Sequence, residues 1–135
     1  MRHFLLMVIA SLVLVSTCFG EETNKNAWTK IDTALEIATI ATLAMDWSQT
    51  RTIAKNPDRY YETNPILGKH PNVGTVDLYF AACAVGHAGI AYLLPQSITV
   101  LNLEVPVRKV WQLTWIGLEV GAIANNVKAG IKFDF

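Results

Sequence analysis

Four ionisable side chains lie within the three most apolar stretches that follow residue 20, and through them this chain could do chemistry. They are Glu36, Asp46, His87 and Glu119. A charged group near the centre of a membrane helix costs about 2.5–3.5 kcal/mol on insertion scales, so it usually has a partner or a function. A histidine among carboxyl groups could relay protons, act with them as acid and base, or only pair across helices.

Helical spacing and depth sort the polar residues into two clusters. With a rise of about 1.5 Å per residue, His87 and Glu119 both fall near mid-membrane, and Glu36 somewhat nearer the outer side. We therefore predict a central cluster in which His87 and Glu119 pair across their two helices. The remaining polar residues fall towards the cytoplasmic end, where we predict an inner hydrogen-bonding cluster of Asp46, Gln49, Asn125 and Asn126.

Three segments have the length and composition of helices, at residues 27–54, 76–94 and 107–127. The second and third are long enough to cross a bilayer, and Pro106 suits the first turn of the third. The first has no glycine or proline, but its aliphatic residues barely offset its carboxyl groups, so we expect it to insert only with help from its neighbours. The sequence predicts an all-α protein, a small integral membrane helical bundle with three transmembrane helices.

The N-terminal residues have the pattern of an export signal. Arg2 and His3 form a short basic start, residues 4–15 an apolar core, and residues 16–20 a tail of mostly small side chains. We predict a signal peptide over residues 1–20, cleaved after Gly20, with an uncleaved anchor helix or a lipid on Cys18 as alternatives. Residues 21–135 then form a single helical membrane domain, with a loop at residues 55–75.

Basic residues set the predicted orientation. The loop at residues 55–75 and the C-terminal tail contain several Lys and Arg residues, whereas residues 95–103 contain no charge. The loop and the C-terminus should therefore be cytoplasmic. Arg108 and Lys109 oppose this assignment, because it places them at the outer surface.

Composition excludes some classes of function. The formal net charge is zero and 52% of the residues are hydrophobic, so the chain lacks the basic excess of a nucleic-acid-binding protein. The two cysteines, Cys18 and Cys83, have no motif around them and predict no disulfide. No His-x-x-x-His or Glu-x-x-His pair lies within one helix, so we expect no metal and no cofactor.

The loop at residues 55–75 is long for a small protein and contains several prolines, which favour fixed turns. We predict that Glu62 accepts hydrogen bonds that hold a turn at Asn64.

Part of the chain resembles a group of small, uncharacterised membrane proteins from Gram-negative bacteria and their phages. The resemblance lies in the sequences Asp46-Trp47-Ser48-Gln49-Thr50, Pro57-Asp58-Arg59-Tyr60 and Glu62-Thr63-Asn64-Pro65-Ile66-Leu67-Gly68-Lys69-His70-Pro71. The resemblance spans residues 46–80. It implies a multi-pass protein of the bacterial inner membrane, and it implies no activity.

These observations favour a non-enzymatic role, as a structural or protein-interaction component. The expected partners are the lipid bilayer and another membrane protein or a second copy of the chain. Gly117 and Gly121, four residues apart on the third helix, predict close packing between helices. Two alternatives remain open. One is a membrane enzyme or a proton or ion conduit that uses Asp46, His87 and Glu119, and the other is a phage lysis or envelope-associated factor.

Overall fold

The computed structural model describes residues 27–135, so the predicted signal peptide and Cys18 lie outside the described residues. The described chain is mostly helical. Its elements, in order, are helix α1 (Lys30–Lys55), helix α2 (Val73–Leu93), strand β1 (Ile98–Val100), strand β2 (Leu103–Val105) and helix α3 (Val107–Lys128). The predicted all-α class and the three helical segments are confirmed.

Helices α1 and α2 each begin at a residue whose side chain caps the helix, whereas α3 begins after a proline that makes no side-chain cap bond. Thr29 and Asp32 form a reciprocal capping box at the start of α1, in which each side chain bonds the backbone N–H of the other residue. Asn72 caps α2 by accepting from the backbone N–H of Thr75. Pro106 is itself the cap residue of α3, one position before the expected first turn. These caps fix the helix ends that carry the polar residues described below.

Helix α1 is the centre of the arrangement and packs against both other helices, whereas α2 and α3 contact each other much less. The apolar core joins α1, α2 and the connecting loop through Leu43, Leu67, Val76 and Phe80. Trp115 of α3 packs against this core. The glycines of α3 play no part in it, since a Cβ atom added at Gly117 or Gly121 would meet nothing within 4 Å. The expected close helix packing at these glycines is absent from the described chain.

Residues 98–105, expected to be an irregular loop, form a two-stranded antiparallel hairpin in which Ile98 pairs with Val105. Its turn consists of Leu101 and Asn102, both with positive φ, as a two-residue hairpin turn with right-handed strand twist requires. Asparagine tolerates that conformation, but leucine rarely adopts it. The usual Asn-Gly or Asp-Gly signal of such a turn is absent here, and the sequence therefore did not predict the hairpin.

Length and composition identify one candidate membrane span among residues 27–135, the 21-residue helix α2. Helices α1 and α3 are as long as α2, but charged and amide side chains along both lower their hydropathy. The predicted helical architecture is therefore confirmed, but only one of the three predicted membrane spans is identified as a candidate by length and composition.

Among residues 27–135, more polar than hydrophobic side chains are buried, whereas the interior of a water-soluble protein is mainly hydrophobic. Ten polar or charged side chains are buried, against eight hydrophobic ones. Many large apolar side chains are exposed, among them Leu78, Val85 and Tyr92 of α2 and Leu113 of α3. Much of the interior of the bundle is therefore polar, and many of its large apolar side chains face outward.

Candidate functional site

The first polar cluster lies at the end of the bundle that carries the hairpin, and its centre is the fully buried side chain of Arg108. Its guanidinium group bonds the Asp32 carboxylate at 3.3 Å and donates twice to the carbonyl of Leu94, at 2.6 and 3.1 Å. It also donates to the carbonyl of Ala27. Arg108 thereby joins the start of α1, the end of α2 and the start of α3.

Gln112 and His87 extend this cluster by one helical turn. The Gln112 amide donates to the carbonyl of Asp32 at 3.0 Å and to the Glu36 carboxylate at 2.9 Å. The other oxygen of Glu36 lies 2.9 Å from Nδ1 of His87. We call this set the Arg108 layer; it consists of Asp32, Glu36, His87, Arg108 and Gln112.

The partner of His87 is therefore Glu36, and the predicted pairing of His87 with Glu119 is wrong. On α3 the residue level with Glu36 is Gln112, and Glu119 lies seven residues, or about 10 Å, farther along the same helix. Depth counted from each helix start placed His87 and Glu119 together, but α2 and α3 run in opposite directions and start at opposite ends of the bundle. From the end that Leu94 and Arg108 share, His87 is 7 residues away and Glu119 is 11. The His87 ring instead stacks on Trp111 and meets Trp115 edge-on.

The second cluster lies towards the other end of the bundle. The carboxyl groups of Asp46 and Glu119 are close enough to interact, and the Asn126 amide donates to Asp46 at 3.1 Å. Two neighbouring carboxyl groups away from bulk water disfavour each other's ionisation, so the pair is not a matched ion pair. We call this set the Asp46 layer; it consists of Asp46, Gln49, Glu62, Glu119 and Asn126.

The loop supplies Glu62 to this layer, and Glu62 also holds the predicted turn. One Glu62 oxygen accepts from the backbone N–H groups of Thr63 and Asn64, both at 2.7 Å. The Asn64 amide donates to the hydroxyl of Tyr79 on α2 at 2.9 Å, which ties the turn to the bundle. The charge of Glu62 acts on Asp46, so the loop brings a third acidic group to the layer.

Several polar atoms in both layers have no hydrogen-bond partner. Gln49 is fully buried and neither its amide nitrogen nor its oxygen is bonded, and Oε2 of Glu119 is also unbonded. Single atoms of Asp32, His87 and Gln112 lack partners too, but each of those side chains has another polar atom bonded. Gln49 alone among these has no bond at all.

A mostly apolar layer separates the two polar layers; its one fully buried hydroxyl on α1, that of Thr39, donates to the carbonyl of Leu35 within the same helix. Leu43 is buried between Glu36 and Asp46 on α1, and Cys83 and Trp115 pack against the same core from the other helices. The described structure shows no hydrogen-bonded chain from His87 to Asp46 or Glu119. The predicted candidate site is thus brought together only in part. Interactions link five of its eight residues, namely Asp46, Glu62, Asn64, Glu119 and Asn126. Gln49 is buried on α1 but bonds none of them, and His87 belongs to the Arg108 layer.

Asn125 does not join the Asp46 layer, since its side chain is exposed while that of Asn126 is directed inward. Polar stripes that include Asp32 on the first helix and Gln112 on the third predicted that these two faces meet, as they do, but the burial of Arg108 against Asp32 was not predicted. The sequence did contain a sign of this role. Arg108 lies at the start of an apolar helix, on the side where the distribution of basic residues predicts few cations, and such a residue usually has a buried acidic partner.

Among residues 27–135, no group of three or more His, Cys, Asp or Glu side chains is arranged to hold a metal ion.

Ion pairs close the loop end of the bundle. Arg51 bonds Asp77 at 3.0 Å, and the Trp47 indole donates to the same carboxylate at 2.7 Å. Lys55 bonds Asp134 of the C-terminal segment, and this hydrogen bond holds the pKa of Asp134 below its ordinary value. The C-terminal segment is therefore attached to α1.

Comparison with known proteins gives no match to a family model, to a curated protein or to a solved structure. The functional argument therefore rests on the geometry of the chain itself.

Proposed function

We propose that this chain is an integral protein of the bacterial inner membrane, that all three helices cross the bilayer, and that its role is structural or protein-binding rather than enzymatic. The predicted orientation, with the loop of residues 56–72 and the C-terminus on the cytoplasmic side, is part of the proposal.

The observation that carries the membrane location is the exposure of α2. Its 21 residues give a length of about 31 Å, which matches the hydrocarbon core of a bilayer. Only 22% of its most apolar window is buried within the described protein. An apolar core helix of a water-soluble protein is covered by its own chain, so this helix needs another apolar environment, and we assign it to lipid.

Buried polar groups support the insertion of α1 and α3. In hydrocarbon a polar side chain must find a protein partner, and interhelical hydrogen bonds help membrane helices to associate. The bonds of Arg108, Gln112 and Asn126 cross between α3 and the other helices in this way. The charges that lower the hydropathy of α1 and α3 are thus directed into the bundle, and their outward faces remain apolar.

A structural role fits these contacts better than a conduit does. A proton relay through Glu119, His87 and Asp46 requires a continuous path of exchanging groups. The apolar layer at Leu43 and Trp115 interrupts that path, and the nearest partner of His87 is Glu36. We therefore assign the Arg108 layer to holding the three helices together.

Topology can be tested by thiol labelling in intact bacterial cells. In a chain with Cys18 and Cys83 replaced by alanine, we introduce one cysteine at Leu101, in the exposed hairpin turn, or at Asn56, after α1. An impermeant maleimide should label Leu101→Cys in intact cells and Asn56→Cys only after permeabilisation. Both variants should stay in the membrane pellet at alkaline pH.

Two results would contradict the proposal. Release of the protein into the alkaline supernatant would show that the helices do not span the bilayer. Labelling of both positions in intact cells would exclude an odd number of spans between them.

A further inference from the structure

The loop between α1 and α2 contains a cleft of about 260 Å³ that the bundle does not use. Residues 57–61 form one side of the cleft, and Lys69 and His70 form the other. Its volume is slightly below that of pockets for drug-sized ligands, about 300–1,000 Å³, so a small group of atoms is the fitting occupant. We refer to it as the loop cleft.

The backbone around the loop cleft is fixed. The N–H groups of Arg59 and Tyr60 both donate to the carbonyl of Asn56 at 3.0 Å, which forms a tight turn. The N–H of Glu62 donates to the carbonyl of Lys69 at 2.9 Å and joins the two sides of the cleft. Arg59 and Lys69 are thus presented to one cleft by backbone that is already ordered.

The basic residues of the loop cleft differ from the other basic residues at this end of the bundle in having no acidic partner within ion-pair distance in the described structure. Arg51 and Lys55 each pair with a carboxylate, whereas the described structure gives neither Arg59 nor Lys69 an acidic partner. One acidic residue, Asp58, lines the cleft beside these two cations and His70. With His70 neutral, the side chains that line the cleft carry one net positive charge.

The guanidinium group of Arg59 lies over the ring of Tyr60, 5.2 Å from its centre. This cation–π contact limits the freedom of the Arg59 side chain, and a guanidinium group can donate two parallel hydrogen bonds from one edge. Such paired donors, together with the lysine that lines the same cleft, match the oxygens of a phosphate group. Tyr61 also lines the cleft and is largely exposed, which adds an apolar border.

We propose that the loop cleft binds a phosphate-bearing anion through Arg59 and Lys69. The phosphate can belong to the headgroup of an anionic phospholipid or to a free phosphate in solution. This inference goes beyond the proposed function, because the cleft lies outside the helices and its phosphate chemistry does not depend on membrane insertion.

The test uses the full chain in a neutral detergent and measures binding by calorimetry. The probes are short-chain phosphatidylglycerol, phosphatidylcholine of the same chain length, and inorganic phosphate. Arg59→Gln/Lys69→Gln should bind phosphatidylglycerol or phosphate roughly tenfold or more weakly than the unchanged chain, because it loses charged hydrogen bonds. The matched control, Lys128→Gln/Lys132→Gln, removes the same charge from exposed positions outside the cleft and should retain binding.

The probes distinguish the sources of phosphate. Saturable binding of phosphatidylglycerol without binding of inorganic phosphate identifies a lipid headgroup, and similar affinity for both identifies the phosphate group itself. Equal weakening in the two double variants would overturn the proposal, as would the absence of saturable binding of phosphatidylglycerol and inorganic phosphate to the unchanged chain. Thermal unfolding checks the fold of each variant, and Lys69→Gln alone provides the same readout if the double variant unfolds.

Discussion

The Arg108 layer and the Asp46 layer contain similar kinds of residue, yet they differ in how their charges are matched. In the Arg108 layer a cation meets a carboxylate, and a histidine meets another, so each side chain has a partner on a different element. In the Asp46 layer two carboxyl groups meet each other beside a third acidic residue, and Gln49 has no bond. The comparison teaches that burial of polar residues does not by itself show which of them stabilise the bundle.

The largest expected effect belongs to Arg108. Arg108→Met leaves the Asp32 carboxylate buried without its counter-ion, and removing one partner of a buried pair typically costs about 3–5 kcal/mol. Denaturant unfolding of the detergent-solubilised protein measures this loss. Lys109→Met changes the neighbouring cation, which is partly exposed, and should cost less than about 1 kcal/mol. Similar losses for the two variants would show that the Asp32–Arg108 pair does not hold the helices.

A smaller effect tests the corrected pairing of His87. A double-mutant cycle of His87→Gln and Glu36→Gln should show a coupling of about 0.5–3 kcal/mol, because these side chains are in contact. The same cycle with Glu119→Gln in place of Glu36→Gln should be additive within about 0.5 kcal/mol. Unfolding free energies provide both cycles. Coupling of His87 to Glu119 but not to Glu36 would restore the pairing expected from sequence.

The smallest expected effect concerns Asp134, at the loop end beyond both layers. Its lowered pKa means that its bond to Lys55 contributes stability above the ordinary carboxyl pKa of 3.8, and that this contribution is lost as the pH falls through the lower, folded-state value. Asp134→Asn should remove this part of the acid sensitivity. Thermal unfolding at low salt, at neutral pH and at about pH 3, compares the two proteins. An unchanged pH dependence in the variant would show that the contact is absent in solution.

The sequence predicted the helices well because their signals are local. The absence of glycine and proline from 30–55, Asn72 before α2 and Pro106 before α3 each act within one or two turns. It also predicted the meeting of Asp46 with Asn126 and the role of Glu62, since stripes of polar residues on two helices tend to face each other.

The contacts that were missed depend on the relative level of the helices. The pairing of His87 depends on how far α2 slides along α1, and no local pattern records that distance. The hairpin depends on positive φ at Leu101 and Asn102, for which leucine gives no signal. The partner of Arg108 depends on Asp32 lying at the same end of the bundle, 76 residues earlier in the chain.

One pair of substitutions tests most directly the claim that the Arg108 layer stabilises the bundle more than the Asp46 layer does. Gln49 and Gln112 are both fully buried, and leucine has a similar size, so Gln49→Leu and Gln112→Leu make the same chemical change in the two layers. Gln112→Leu removes bonds to Asp32 and Glu36 and should cost about 1–3 kcal/mol, whereas Gln49→Leu removes none and should be neutral or stabilising. The measurement is the unfolding free energy of each variant in the same detergent. A loss for Gln49→Leu equal to or greater than that for Gln112→Leu would contradict the account.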